Sequence, residues 1–188
     1  STDTIGFMSI LHGDVQFYNN VFVQPKVREG LIEICRGCQD NEWDDENLQA
    51  GTLVYNGYMS EEEWLSHFTG AVGEGSNGTR DKYYMPLPVW SKNNAFFNGA
   101  RPSDLDENAQ VYDHDKVSVR LEEKDGQVQV LVDFLDLLKE VDPIDTDQMP
   151  MAFEPEQKYE GPNGEVICFD EDFYGQDRSG SVKPGPYA

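Results

Sequence analysis

Apolar and polar positions alternate along this chain in short runs, and the runs break at asparagine. Residues 16–25 (QFYNNVFVQP) place apolar and aromatic side chains on both sides of Asn19-Asn20, and residues 90–102 (WSKNNAFFNGARP) repeat the arrangement around Asn93-Asn94. Residues 53–58 (LVYNGY) are a weaker echo. Asparagine tolerates the left-handed backbone conformation that a sharp bend between strands requires. Bends stacked over one another allow their amides to hydrogen-bond in a ladder. The pattern therefore predicts coils of a parallel β-helix, each burying its apolar face against its neighbours. Separate strands with unrelated Asn turns are the simpler use of the same residues.

Other stretches fill in the order of elements. Residues 5–11, 15–23, 27–38 and 52–58 read as strands, and 39–46 (QDNEWDDE) as a solvated acidic loop. Residues 59–68 (MSEEEWLSHF) read as a helix. Ser60 is its N-cap, Glu63 completes a capping box, and Glu61 and Glu62 suit the positive end of the dipole. Trp64, Leu65 and Phe68 form its apolar face. Residues 70–80 are a Gly-rich loop without phosphate-loop spacing, and the two prolines in 83–89 keep that stretch off a central ladder. From Ser103 to Asp115 the chain turns acidic and polar, which predicts a boundary. Residues 116–134 read as a β-hairpin turning at Asp125-Gly126. Its register sets Lys124 against Gln127, Leu121 against Val130, Val119 against Val132 and Val117 against Phe134, giving a half-buried hairpin with one apolar face. A helical turn within 135–141 and a second hairpin at 159–169, around Pro162-Asn163-Gly164, complete the reading. The fold class is all-β: terminal coils of a parallel β-helix with an appended antiparallel hairpin region and one short helix. Residues 1–102 would hold the last coils with loop insertions and the helix near 60–68. Residues 103–188 would hold the hairpins and C-terminal cap of the same domain.

Composition narrows the partners. The chain has 188 residues and a formal charge of -22, a field that repels phosphate backbones and anionic lipid, so neither nucleic acid nor membrane is expected. Neutral ligands such as sugars stay open. Hydrophobic residues make up 38 %, enough for a folded core. No apolar run approaches the roughly 20 residues of a membrane helix. The chain opens at Ser1 close to a strand pattern, so an upstream portion is expected.

Three cysteines, Cys35, Cys38 and Cys168, do not make a disulfide framework. Cys35 and Cys38 have CxxC spacing, but His12, His67 and His114 supply no second paired spacing. Reduced cysteines in a cytoplasmic protein, with no metal and no cofactor, are the expectation. No GxSxG and no triad spacing is present. Sequence nominates no pair among the 36 acids; Glu33, inside an apolar run, is the most unusual of them, and a burial-raised pKa would suit an acid catalyst, although an outward-facing strand residue is the commoner use. Trp43, Trp64 and Trp90 could stack on sugar rings, although core packing is the usual role.

The end of the chain carries a resemblance. Asn163-Gly164, the apolar run 166–169, Asp172-Phe173-Tyr174-Gly175, Arg178 and Gly185-Pro186-Tyr187 resemble a closing motif of right-handed parallel β-helix enzymes. Taken in order with FYNNVFVQP and VWSKNNAFFNGARPS, they resemble the C-terminal third of glycoside hydrolase family 120, bacterial β-xylosidases with a β-helix core and an inserted β-sandwich. The resemblance implies part of a retaining glycosidase acting on xylo-oligosaccharides in xylan degradation. It places both catalytic carboxylates on coils before residue 16, so no catalytic residue carries over and this chain alone is expected to be inactive. Its partners would be a xylo-oligosaccharide and either the N-terminal part of the same enzyme or a second copy. A non-catalytic carbohydrate-binding or structural β-helix module is the alternative. A polysaccharide lyase fragment fits less well, because such enzymes use basic residues and only 14 are present.

Overall fold

The computed structural model describes residues 13–26, 30, 49–66, 86–152, 156–180 and 182–187. The strand expected at 5–11, nearly all of that at 27–38, the acidic loop 39–46 and the Gly-rich loop 70–80 lie outside these residues.

Strands β1 (Val15–Tyr18), β3 (Val89–Lys92) and β5 (Asp106–Glu107) form one parallel sheet in that order. Strands β2 (Val21–Val23), β4 (Ala95–Phe97) and β6 (Gln110–Tyr112) form a second. Each strand of the first sheet leads into its mate in the second through a two-residue bend, so β1–β2, β3–β4 and β5–β6 are three tiers. The bends sit at Asn19-Asn20, Asn93-Asn94 and Asn108-Ala109. The first residue of each is left-handed, with φ of 55°, 59° and 56°, a conformation that costs asparagine less than most residues. The parallel ladder continues straight through the bends: Asn19 N–H donates to Lys92 O (3.1 Å), Asn93 N–H to Glu107 O (2.8 Å), Ala95 N–H to Asn20 O (2.8 Å) and Gln110 N–H to Asn94 O (2.8 Å).

The side chains of the bends are bonded as well. Asn94 is fully buried. Its Oδ1 accepts from the backbone N–H of Asn20 (2.8 Å) and from Asn20 Nδ2 (3.2 Å), while its Nδ2 donates to Phe17 O and Ser91 Oγ, both at 3.0 Å. Asn108 Nδ2 donates to Asn93 Oδ1 at 2.8 Å. The expected amide ladder is thus present, and it reaches one tier further than expected. The acidic stretch read as a boundary from Ser103 instead holds β5 and β6. Asp and Glu are poor strand formers, but Asp106 is drawn inward, where its carboxylate accepts from Thr52 Oγ1 (3.0 Å), Ser91 Oγ and Asn94 Nδ2.

Aromatic rings repeat the tiers. Phe22 stacks on Phe96 (centroids 5.2 Å apart), and Phe97 stacks on Tyr112 (4.5 Å) and on Phe134 (5.1 Å). Every residue of β4 is buried, as expected of a parallel strand covered on both faces. Ala95 and Phe97 are covered by Phe134 and Leu138, with Val117, Val132 and Leu135 packed around them.

The hairpin β7 (Val119–Lys124) and β8 (Gln127–Val132) has the predicted register, with Asp125 and Gly126 both at positive φ as a type I′ turn requires. It is less buried than expected, with only the last four residues of β8 partly covered. All of β7 is exposed, and Leu121 keeps 70 % of its surface. Alternation set the apolar face, but only the base of the hairpin reaches the core. Three other expectations need correction. Residues 52–58 do not form a strand: after the single parallel bridge of Gly51 with Arg101, the chain winds into a 3-10 turn at Leu53–Tyr55. The helix, α1 (Glu61–Ser66), leaves Leu65 exposed, where an apolar buried face was expected, and its expected end at 67–68 lies outside the described residues; Glu63 N–H does bond Ser60 Oγ (3.2 Å). At 159–169 a turn forms, Gly161 N–H to Glu165 O (2.8 Å), but no strand ladder follows it, because Cys168 pairs with Asp145 instead.

Two predictions follow from the buried amide and carboxylate. Asn94→Ala strands several buried donors and acceptors at once, each worth about 1–3 kcal/mol when unpaired. It should lower stability by about 2–4 kcal/mol in urea unfolding with an unchanged denaturant slope, whereas Asn163→Ala, at the exposed turn, should stay within about 0.5 kcal/mol. The second concerns pH. Burial pushes the Asp106 carboxyl above the usual carboxylate range, and bonds from Ser91, Thr52 and Asn94 only partly offset this. A raised folded-state pKa means the folded chain holds this proton where the unfolded chain has released it, so stability falls as pH rises through that window. Asp106→Asn removes the effect. The stability of the native protein relative to Asp106→Asn should therefore decline as pH climbs from below the unfolded carboxylate value; a flat difference would show that the carboxylate is not shielded.

Candidate ligand cavity

Gln16 and Tyr18 stand two apart on β1 and so share one face of the strand, and Asn19 follows at the bend. Two later segments close over that face. The strap 142–150 is tied at both ends by side-chain amides, since Gln16 Nε2 donates to Pro150 O (3.0 Å) and Asn19 Nδ2 donates to Asp142 O (3.3 Å). The C-terminal segment docks beside it, with Gly185 N–H donating to Asn19 O at 2.6 Å. Arg178 holds that segment in shape: Nη1 donates to Gly185 O and Nη2 to Lys183 O, both at 2.8 Å. Gly185 has φ 98°, and a Cβ there would meet Val21 Cγ2 at 3.1 Å, so the close approach requires glycine.

Between these parts lies a cavity of about 510 Å³, walled by Gln16, Tyr18, Asn19, Ile144, Met149, Phe169 and Arg178 among others. Three of these residues carry a buried polar atom with no hydrogen-bond partner: Gln16 Oε1, Asn19 Oδ1 and Arg178 Nε. Burial, reinforced by the nearby charge of Glu107 and by Tyr159, pushes the Tyr18 hydroxyl up to about 12. At neutral pH it therefore keeps its proton. No Asp or Glu is among the described residues of the wall. The wall combines amide, phenol and guanidinium side chains with apolar ones, and its described residues offer no carboxylate for acid–base work.

None of the described sequence-predicted candidates lines this cavity. Trp90 is half-buried in β3 and Trp64 is half-buried on α1; His114 and Cys168 are exposed. Glu33, Trp43, His12, His67, Cys35 and Cys38 lie outside the described residues. Among the described residues no cluster of His, Cys, Asp or Glu is placed to hold a metal, and no helix is long and apolar enough to cross a membrane. The wall residues were legible only in other roles: Asn19 as a bend, Arg178 as part of the closing motif. Gln16 carried no signal, since nothing in a single strand shows which later segment will cover it.

No family model matches the chain, and no curated protein does. Among solved structures it is similar to that of XylC in complex with xylose, with a TM-score of 0.68 and 22 % identity. The likeness covers 94 % of this chain and 24 % of that one, so the chain spans about a quarter of the length of the protein it matches. At this identity the likeness shows a shared fold over nearly the whole chain, of all-β class, in which two parallel sheets are joined by an antiparallel hairpin.

Proposed function

We propose that the chain is part of a carbohydrate-active hydrolase built on a right-handed parallel β-helix, a β-xylosidase of the family-120 type acting on xylo-oligosaccharides with retention of configuration. The observation that carries this reading is the fold shared with XylC over 94 % of the chain, in a structure whose bound ligand is xylose. The order of the motifs adds support, since both Asn bends and the closing segment fall where the family resemblance expects them. In this reading the three tiers are windings of the helix and residues 142–187 are its closing cap. The two catalytic carboxylates come from polypeptide other than these 188 residues, and the chain contributes scaffold and sugar contacts. Such enzymes need two carboxyl groups roughly 5–5.5 Å apart for retention. A second reading, a binding module without hydrolytic activity, is favoured by one observation, a cavity whose described wall has polar groups suited to a sugar but no carboxylate.

Calorimetry of the purified chain with xylobiose and cellobiose, paired with a nitrophenyl-β-xyloside assay, tests the proposal. Xylobiose should bind and cellobiose should bind more weakly, with no nitrophenol released. Failure to bind xylobiose would remove the substrate assignment. Turnover by the chain alone would overturn the placement of the catalytic pair.

A further inference from the structure

We infer that the outer face of the first parallel sheet, where it adjoins α1, is a groove for a neutral oligosaccharide of two or more linked units, with the Trp90 ring as its stacking platform and Lys92 and Glu107 as its hydrogen-bonding floor. This deepens the carbohydrate reading above and rests on it for the choice of xylo-sugars.

The first argument is the face itself. Along β3, Val89 and Ser91 are buried, while Trp90 and Lys92 point the other way. Strand register sets Gln16 beside Trp90, and it sets Tyr18 on one side of Lys92 with Glu107 on the other. Neighbouring strands lie about 4.8 Å apart, so phenol, ammonium and carboxylate form one row across the three tiers. Lys92 Nζ stands 3.8 Å from Glu107 Oε2, and their side chains are 49 % and 73 % exposed, so both are within reach of a ligand. A sugar hydroxyl donates as well as accepts and can bond to either.

The second argument is shape. Two hollows meet at Trp90, and both have Trp90, Ser60 and Glu61 in their walls. One, of about 380 Å³, is lined also by Tyr18, Lys92, Glu107 and Gln148. The other, of about 620 Å³, is lined also by Leu65. Each falls within the range of roughly 300–1,000 Å³ typical of small-molecule sites. Leu65, which α1 leaves 48 % exposed, thus serves as apolar wall. A flat indole between two hollows suits a chain of linked rings, since one unit can lay its C–H face on the ring while the next occupies the polar hollow.

The third argument is what the groove disfavours. Its carboxylates, Glu61, Glu107 and Asp142, outnumber Lys92 in a protein of formal charge -22, so an anion is repelled. Among the described residues no acids stand close enough together to hold a metal ion, and an organic cation would meet Lys92 in the middle of the floor. A peptide that adds itself as a strand needs an open sheet edge. Here the floor is the face of β3, which is paired on both sides, with β1 and with β5.

The test is an NMR titration of the intact, isotope-labelled chain with xylose, xylobiose, xylotriose and cellotriose, and with spermidine and a neutral tetrapeptide as controls. The chain has three tryptophans, so the indole Nε1–H signal of Trp90 can be followed by itself. We expect xylotriose to shift that signal to saturation and to bind about tenfold or more tighter than xylose. Trp90→Ala should weaken binding about tenfold or more, as loss of a central tryptophan does, and Trp90→Phe should restore most of it. Glu107→Gln, on an exposed side chain, should weaken binding too, and with the native titration it keeps the test decisive if Trp90→Ala does not fold. A shift with cellotriose but with no xylo-sugar would uphold the groove and remove the xylose assignment. Xylobiose binding seen by calorimetry with the Trp90 signal still would overturn the groove and leave the functional reading standing. Equal affinity for xylose and xylotriose, silence toward every sugar, or saturation by spermidine or the tetrapeptide alone would overturn the inference.

Discussion

The buried amide of Asn94 is the constraint on which the layered part of this molecule depends. A parallel strand that turns a corner must keep its backbone groups paired through the corner, because the polar groups there are as shielded as those in the sheet. The left-handed residue makes the corner sharp, and the next residue must then fill the inside of it with something that both donates and accepts. Asparagine can do each task in turn. Asn93 bends the chain, and Asn94 bonds to the tier before it through Asn20 and Phe17 and to its own strand through Ser91. Neither leucine nor aspartate could replace Asn94, the first for want of polar atoms and the second for want of a donor.

Once corners are fixed in this way, the chain between tiers is free to wander. More than sixty residues separate β2 from β3, yet β1 and β3 pair as if adjacent, Val15 with Val89 through Tyr18 with Lys92. Closing a longer loop costs only about 0.6 kcal/mol for each doubling of its length, whereas the ladder gains a bond at nearly every residue. Between β3 and β5, by contrast, the return takes only the segment 98–105. Thr52 shows how the long insertion is nonetheless tied down: its backbone bridges toward Arg101, and its hydroxyl both donates to Asp106 and accepts from Ser103 N–H.

What could be read from the sequence divides along the same physical line. The Asn bends were legible because the left-handed backbone restricts residue type, and the hairpin register was legible because Asp125-Gly126 permits one tight turn. Both are local demands. The third tier was hidden because Asp106 and Glu107 look like loop residues. They are a strand only because Ser91, Thr52 and Asn94 receive the carboxylate, and Lys92 lies 3.8 Å from Glu107 across the tier. Asn108 was the missed clue: Val111 and Tyr112 stand as far behind it as Phe96 and Phe97 stand behind Asn93. The exposure of Leu121 illustrates the opposite error. Periodicity says which residues share a face, and it is silent on whether anything covers that face. The cavity was least legible of all, since its wall joins residue 16 to residue 178, and three of its residues keep a polar atom left unpaired by closure.

That leftover chemistry sits where two kinds of order meet. Inside the tiers, amides meet amides from tier to tier, Asn20 with Asn94 and Asn93 with Asn108. Where Gln16 and Asn19 project from β1, their amides meet instead the segment 142–150, whose spacing follows no repeat. Asn19 and Asn93 show the difference directly. They occupy equivalent corners, yet Asn93 Oδ1 receives Asn108 Nδ2, while Asn19 Oδ1 receives nothing and its Nδ2 reaches across to the backbone of Asp142. A mismatch of this kind costs a noticeable part of a net stability of only about 5–15 kcal/mol, and the regular bonds of the neighbouring tiers offset it.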